Sequence, residues 1–268
     1  METKNIKISG KRFKVFGHKK DRYFNEYVTE GKDFFDTPIA FLEKHCVDDA
    51  VVFDIGANIG LVSCGASTIA PNGTIYAIEA SPYIYKYLSK TVRTNTLKNV
   101  KPINIAVSNT RRKLSFFVDP NFLAGSRVVK KNSTGKVVRV EAKKLDEITK
   151  DLGINRLDII KLDVEGHEQQ VLEGAKKTLR KFKPFCLIEF NSYVMIYENR
   201  QLPQDFMAQL KQIFPRIYAF DRNTLGLTEI TNDTGAFLQQ NLLQGCVDDL
   251  VCGFGDLPPA TKWFQKNR

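Results

Sequence analysis

The chain has 268 residues, 43% of them hydrophobic, enough to bury a substantial core in one large domain or two small ones. No apolar run approaches the length of a membrane span, and the charged start METKNIKISGKRFKVF lacks the apolar block of a secretory signal, so a soluble cytoplasmic protein is expected. The net charge of +10 favours anionic partners (nucleic acid, acidic glycan, nucleotide-sugar or a membrane surface) or simply solubilises the surface.

The lysines are spread along the chain, densest at Lys130–Lys131, Lys143–Lys144 and 176–183. Cys46, Cys64, Cys186, Cys246 and Cys252 are scattered, with no CxxC pair and no Cys/His zinc spacing. Cys64, Cys186 and Cys252 lie in apolar runs and read as buried free thiols.

In chain order, KRFKVF (11–16) predicts a short strand, and 33–46 places Phe35, Ile39 and Leu42 at helical spacing. Ala50–Phe53 is a buried strand, followed by a helix over Gly60–Ala70 and a strand at TIYAIE (74–79). Ser81-Pro82 then opens a helix to about Asn95, a cap followed by proline in the first turn. Val100–Val107 is a third core strand. KLSFFV and VVRVEA predict an antiparallel insertion around the loop NFLAGSRVVKKNSTGK. LDEITKDLG is a short helix and LDIIKLD (157–163) a fourth strand. Val171, Leu172, Ala175, Leu179 and Phe182 predict one apolar-striped helix after it. FCLIEF (185–190) is a fifth strand, 204–214 a helix, and RIYAFD and DDLVCGF two late strands, read as an antiparallel pair.

Alternating strands and helices imply an α/β, Rossmann-like, doubly wound sheet, mostly parallel with a late antiparallel strand, plus a β-hairpin insertion. One domain, 1–268, is the simplest organisation, with an N-terminal extension over 1–48 and the core over 49–268.

DIGANIG (54–60) follows the first core strand, at the sheet edge where such folds bind ligands. It is neither GxGxxG nor a P-loop, and a carboxylate at the strand tip repels phosphates. It suits a ligand carrying an ammonium group or hydroxyl donors. Glu79 ends the second strand about 20 residues further on, where an acid can accept both hydroxyls of a ribose. Ribose diol plus cationic amino acid, without pyrophosphate, describes S-adenosylmethionine, with Gly56 and Gly60 allowing close approach to the backbone. Taken alone, DIGANIG also reads as an ordinary tight strand–helix turn.

DIGANIG, the IEASP step, KLDVEGHE (161–168) and LIEF (187–190) together resemble the FkbM family of S-adenosylmethionine-dependent methyltransferases, over roughly residues 50 to 220. The resemblance implies a class I methyltransferase fold and O-methylation, often of sugar hydroxyls. By motif position it implies cofactor contacts from Asp54, Gly56, Ala57, Asn58, Gly60, Glu79, Ala80, Ala106 and Asp163. It also implies that Asp163 through Glu168 face cofactor and acceptor. The expected partner is a sugar or glycan acceptor, anionic or nucleotide-linked, with glycosyltransferases as candidate associates.

Methyl transfer needs the acceptor oxygen in line behind the methyl carbon and a base or metal for its proton. Asp163 ends the fourth strand, His167 starts the next helix, and Glu189 lies between Ile188 and Phe190 at the tip of the fifth. These three are the catalytic candidates; Glu165, Glu168, Glu189 and Arg127 are the acceptor-binding ones. A helix N-terminus keeps His167 neutral, whereas Glu165 and Glu168 push the other way. Glu165 and Glu168 also read as partners of the helix dipole, His167 as a cap, and Glu189 as a solvated strand-end acid. Asp163, His167 and Glu189 in mixed oxygen and nitrogen ligation suit magnesium or manganese, an alternative ranked below metal-free base catalysis. Residues 119–136 read as a lid bringing Arg127, Lys130 and Lys131 to an anionic substrate, or as a solvated loop. Tyr23, Phe24 and Tyr27 either stack on a sugar or base or pack the extension onto the sheet.

Two other functions compete. A base N-methyltransferase would carry an NPPY- or DPPY-like turn where KLDVEGHE stands. Ribose 2′-O-methylation stays open, with Lys161 the one lysine in place for it. A fold that kept binding and lost activity is opposed by the intact acids at both strand tips.

Overall fold

The computed structural model describes residues 1–33, 36–119, 121–129, 136–221, 224 and 226–257; Phe35, Lys130 and Lys131 lie outside them. The chain opens with an antiparallel hairpin, β1 (Glu2–Ile8) and β2 (Lys11–Gly17). Ser9 and Gly10 turn it, both at positive φ (48° and 78°), as a two-residue hairpin loop demands. The first strand escaped the sequence reading because polar residues, Thr3, Asn5 and Lys7, fill its exposed face, while Ile6 and Ile8 are buried on the other. After a short helix, α1 (Arg22–Glu26), comes α2 (Thr37–His45). It starts later than the apolar spacing implied because Asp36 caps it, accepting from the Ile39 amide at 3.0 Å, with Pro38 in the first turn.

The core then runs β3 (Val51–Ile55), α3 (Leu61–Ile69), β4 (Thr74–Glu79), α4 (Pro82–Thr94), β5 (Val100–Asn104). An excursion follows: β6 (Ala106–Val107), β7 (Arg112–Phe117), β8 (Arg127–Val128), β9 (Val137–Lys143), α5 (Leu145–Asp151). The core resumes with β10 (Ile159–Leu162), α6 (Glu168–Glu173), α7 (Lys176–Phe182), β11 (Phe185–Asn191), α8 (Pro203–Ile213), β12 (Arg216–Phe220). It closes with β13 (Leu227–Glu229), α9 (Thr234–Leu243) and β14 (Val247–Gly253).

The main sheet has the order β13-β12-β14-β11-β10-β3-β4-β5. Its five strands from β5 to β11 are parallel, and β14 runs antiparallel between β11 and β12. This is the doubly wound sheet with late antiparallel pairing that the sequence implied. Alternate residues of one strand feed opposite cores: Val52 and Ala77 pack on one face, Phe53 and Ile78 on the other. The chain winds outward from β3 to β5 and returns to β10, so the switch point lies between β3 and β10, where such sheets bind ligands. Among the described residues no helix is long and apolar enough to cross a membrane. All five cysteines are free, with Cys64, Cys186 and Cys252 buried.

Three expectations change. The strand expected over 100–107 divides: β5 stops at Asn104, and β6 leaves to pair with β9. The hairpin insertion is therefore a four-stranded sheet, β6-β9-β7-β8. The single helix expected after β10 breaks at Gly174 into α6 and α7. A Cβ on Gly174 would stand 2.0 Å from the carbonyl oxygen of Ser108, so the insertion's backbone lies directly against this break.

Gly174→Ala is expected to lower the unfolding free energy by roughly 1–3 kcal/mol in urea titrations, because that backbone contact must open. Unchanged stability would contradict the packing described.

Candidate active site

The turn after β3 is shaped for close approach. Gly56 sits at φ 81°, and a Cβ there would lie 1.7 Å from the Asp163 carbonyl oxygen, so any side chain is both strained and blocked. The amides of Gly56 and Ala57 donate to the Ile78 carbonyl at 2.9 and 3.0 Å, tying the turn to β4. Glu79 ends β4 with both carboxylate oxygens aligned by backbone: one accepts from the Asn58 amide at 3.0 Å, the other from the Ser81 amide at 2.8 Å. Each oxygen keeps a lone pair for a further donor. Burial lifts Glu79 to about 7.

Beneath the turn lies a buried lysine. Lys161 of β10 is the register partner of Asp54 of β3, so the two side chains leave the sheet on the same face. The Lys161 ammonium donates to the Gly56 carbonyl at 3.0 Å and lies 3.1 Å from Asp163 and 3.8 Å from Asp54. Burial pulls its pKa down, but Asp163 and Asp54 outweigh burial and hold it above the ordinary lysine value. Asp54 is wholly buried, and the Ser63 hydroxyl donates to it at 2.5 Å. Asp54, implied as a cofactor contact, is not among the residues lining the cavity and packs against Ser63 of α3. Gly60 likewise stands outside the cavity lining, at φ 93°, as the cap of α3.

The loop from β10 to α6 carries the other expected residues. Glu168 is buried and accepts from the amides of Val164 (2.9 Å) and Gly166 (3.2 Å), bracing the loop instead of meeting an acceptor. Burial lifts it to about 7. His167 Nε2 lies 2.9 Å from the Ser108 hydroxyl. Burial, then the Arg112 charge, hold His167 down at about 4, so the ring is neutral at physiological pH. Glu165 is pushed up to about 8 by burial and then by Asp163 and Glu168. Glu189 is raised well above the ordinary carboxylate range by burial and then by Asp163 and Glu165, and its Oε2 is buried without a hydrogen-bond partner.

Asp163, Glu165 and Glu189 each offer an oxygen, all within 4.8 Å of one another. Three hard oxygens at this spacing suit a divalent cation better than the expected Asp163–His167–Glu189 set, since His167 is turned to Ser108.

These groups open onto a cavity of about 530 Å³, with Gly56, Ala57, Asn58, Glu79, Ala80 and Ala106 on one side. Asp163, Glu165, His167 and Glu189 line the other. The roof comes from outside the core. Tyr23 and Tyr27 stack at 5.6 Å between ring centroids, and Phe122 meets Tyr23 edge-on. Asp21 joins the two roof pieces by accepting from the Tyr23 and Leu123 amides at 3.2 and 3.0 Å. Phe24 is fully buried and only packs. Arg127 turns away, pairing with Glu198 at 2.7 Å on the wall of a second cavity of about 1110 Å³. His167 lines both cavities.

Sequence reasoning passed over the central role of Lys161, and missed Ser63, Ser108, and the two further acids on the cavity lining, Asp36 and Asp249. A lysine inside the buried run IIKL was the available signal, because a buried charge requires partners. The others are brought in by distant elements and carry no local mark.

The family description "Methyltransferase FkbM domain" matches residues 54–220. Hexuronic acid methyltransferase AglP of Haloferax volcanii is 27% identical over 156 residues, covering 58% of this chain and 62% of its own. Methyltransferase sdnD of Sordaria araneosa is 31% identical over 166 residues, 48% of this chain and 64% of its own. The chain thus spans a little under two thirds of each of these two relatives. 2-O-methyltransferase NoeI of Sinorhizobium fredii is 25% identical over 203 residues, 70% of this chain and 80% of its own. Among solved structures, methyltransferase FkbM from Methylobacillus flagellatus superposes with a TM-score of 0.49 at 15% identity, over 77% of this chain and 44% of that one.

Asp36, Glu79 and Glu168 at about 7, and Glu165 at about 8, hold their protons more tightly folded than unfolded. The stability this gives is complete below the ordinary carboxylate range and is lost as pH rises through 7 to 8. His167 acts oppositely, costing stability as pH falls from 6.5 towards 4. The melting midpoint of the free protein is therefore expected to fall between about pH 5.5 and about pH 8. Glu168→Gln, which keeps an acceptor for both amides but removes the charge, should flatten that slope; an unchanged slope would contradict the assignment.

Proposed function

This chain belongs to the FkbM family of methyltransferases, and on that premise we propose that it is an S-adenosylmethionine-dependent O-methyltransferase whose acceptor is a sugar hydroxyl. The observation that carries this reading is the meeting of two halves in one cavity. One is a nucleoside seat at Gly56–Asn58 and Glu79; the other is a set of proton-accepting carboxylates at the tips of β10 and β11.

The seat fits the cofactor. Each Glu79 oxygen has capacity for one ribose hydroxyl, and Gly56 and Asp163 line the same cavity, where the amino-acid portion lies beside them. Ala80 and Ala106 leave room for the base. Lys161, on the cavity lining, and Asp54 behind it fix the turn and Asp163. When bound, S-adenosylmethionine supplies an electrophilic methyl group on a cationic sulfur.

A positive charge bound in this cavity would favour the ionised forms of Glu165 and Glu189, offsetting the burial that raises them. Glu189, with its unpartnered oxygen, takes the acceptor's hydroxyl proton as the oxygen–carbon bond forms and the sulfur–carbon bond breaks. Asp163 orients the methyl donor. His167, held neutral and fixed by Ser108, hydrogen-bonds the acceptor instead of serving as the base; a group near 4 is a weak base at neutral pH. Glu165 binds a second acceptor hydroxyl. The N-terminal residues belong to the same functional unit, because Tyr23, Tyr27 and Asp36 line the cavity. The acceptor class draws support from the names of AglP, a hexuronic acid methyltransferase, and NoeI, a 2-O-methyltransferase.

Release of S-adenosylhomocysteine is expected with sugar nucleotides or defined oligosaccharides; turnover with RNA alone would reject the sugar reading. Glu189→Gln should lower kcat by about 100-fold or more while S-adenosylhomocysteine affinity, by calorimetry, stays within about 3-fold. Unchanged kcat would remove Glu189 from the chemistry. Glu79→Ala should weaken that affinity by about 10-fold or more, and equal affinity would contradict the ribose contact.

A further inference from the structure

The second cavity begins where the first ends, on the far side of His167. It lies between the insertion sheet, the first turn of α6 and the segment Glu198–Gln201. Its wall carries five cations, Arg112, Lys113, Arg127, Arg139 and Arg200, against the two carboxylates of Glu198 and Asp205. Most of these cations are engaged: Arg127 with Glu198, Lys113 with Glu141, and Arg139 with the Ser115 hydroxyl and the Lys113 carbonyl. Arg112 and Arg200 have no ion pair among the described residues, and both are exposed.

Between the two arginines the wall is rich in amides. Gln169 accepts from Gln201, the Asn199 amide donates to the Gly166 carbonyl, and the Gln170 Oε1 is buried with no partner. Side-chain amides offer donor and acceptor together, the chemistry that pairs with vicinal hydroxyls. Phe117 adds a half-buried ring on the same wall. Glu198 is neutralised by Arg127, and Asp205 leaves one negative charge on the wall with no ion pair among the described residues, which disfavours a continuous phosphodiester backbone and favours a sugar chain with spaced charges.

We propose that this second cavity is the subsite for the remainder of the acceptor, an acidic oligosaccharide, whose carboxylate, sulfate or phosphate groups pair with Arg112 and Arg200. The inference rests on the sugar reading above and adds its charge and length. A sugar unit lying against His167 and Glu189 has its neighbours on the His167 side, and there the wall is positive. The enzyme then selects a chain over a free monosaccharide.

The test is calorimetric titration of the S-adenosylhomocysteine-saturated protein with a uronate hexasaccharide and with its carboxyl-reduced, neutral counterpart. The acidic chain is expected to bind about 10-fold more tightly, with the difference shrinking as salt rises. Arg112→Gln with Arg200→Gln should abolish that preference. Arg112→Lys with Arg200→Lys should restore acidic-chain affinity to within about 3-fold, which a collapsed fold would not do. Equal affinity of the two chains, or an acidic preference that survives the glutamine pair, overturns the inference. Tighter binding of single-stranded RNA than of either sugar chain overturns it in favour of nucleic acid. The sugar reading fails separately, by turnover on RNA alone.

Discussion

A single buried ammonium organises the end of the sheet. Parallel pairing of β3 with β10 sets Lys161 beside Asp54, and the pair shares one face of the sheet with Asp163 just beyond. Taking these charges out of water is costly, and their mutual attraction, the bond to the Gly56 carbonyl and the Ser63 hydroxyl on Asp54 offset it. Losing the lysine would leave the wholly buried Asp54 carboxylate without its counter-charge, so strand register and loop geometry are fixed together. With its carbonyl drawn down to the lysine and its Cβ position blocked by Asp163, Gly56 can take only one course. The turn then delivers its Asn58 amide to Glu79, which forms the wall of the cavity.

The cavity is more acidic than its surroundings tolerate when empty. Burial raises Glu79, and burial with repulsion from neighbouring carboxylates raises Glu165 and Glu189, in a protein whose overall charge is +10. A cationic, hydroxyl-bearing ligand relieves both causes at once. Two segments outside the winding sheet close the space: α1 with its tyrosines, and the turn around Phe122 and Leu123. Asp21 joins them through two backbone amides, so the roof is one piece built from distant stretches of chain.

Much of this was legible in the sequence wherever the signal was local. Apolar runs bounded by DIGANIG, Ser81-Pro82 and KLDVEGHE placed the main strands, the α4 cap and the acids at the strand tips. Side-chain direction was harder to read. Asp54 shares parity with Val52, whose face is buried under α3, and this alternation sets it beside Ser63. Glu168 looked like an acceptor contact because its partners, two amides of its own loop, are created by positive φ at Glu165 and Gly166. The break at Gly174 and the partner of His167 both depend on Ser108, about 60 residues away, and no local pattern reports such a meeting. The resemblance to a family carried the cofactor; residue roles came from geometry.

The account's central claim is that the glycine turn and Glu79 form one nucleoside seat held from below by Lys161. A crystal structure of the protein soaked to saturation with S-adenosylhomocysteine tests it most directly. It should show both ribose hydroxyls on the Glu79 carboxylate, the amino-acid end over Gly56, and the lysine still bonded to the Gly56 carbonyl. Density for the nucleoside elsewhere, or a ribose turned away from Glu79, would contradict the account.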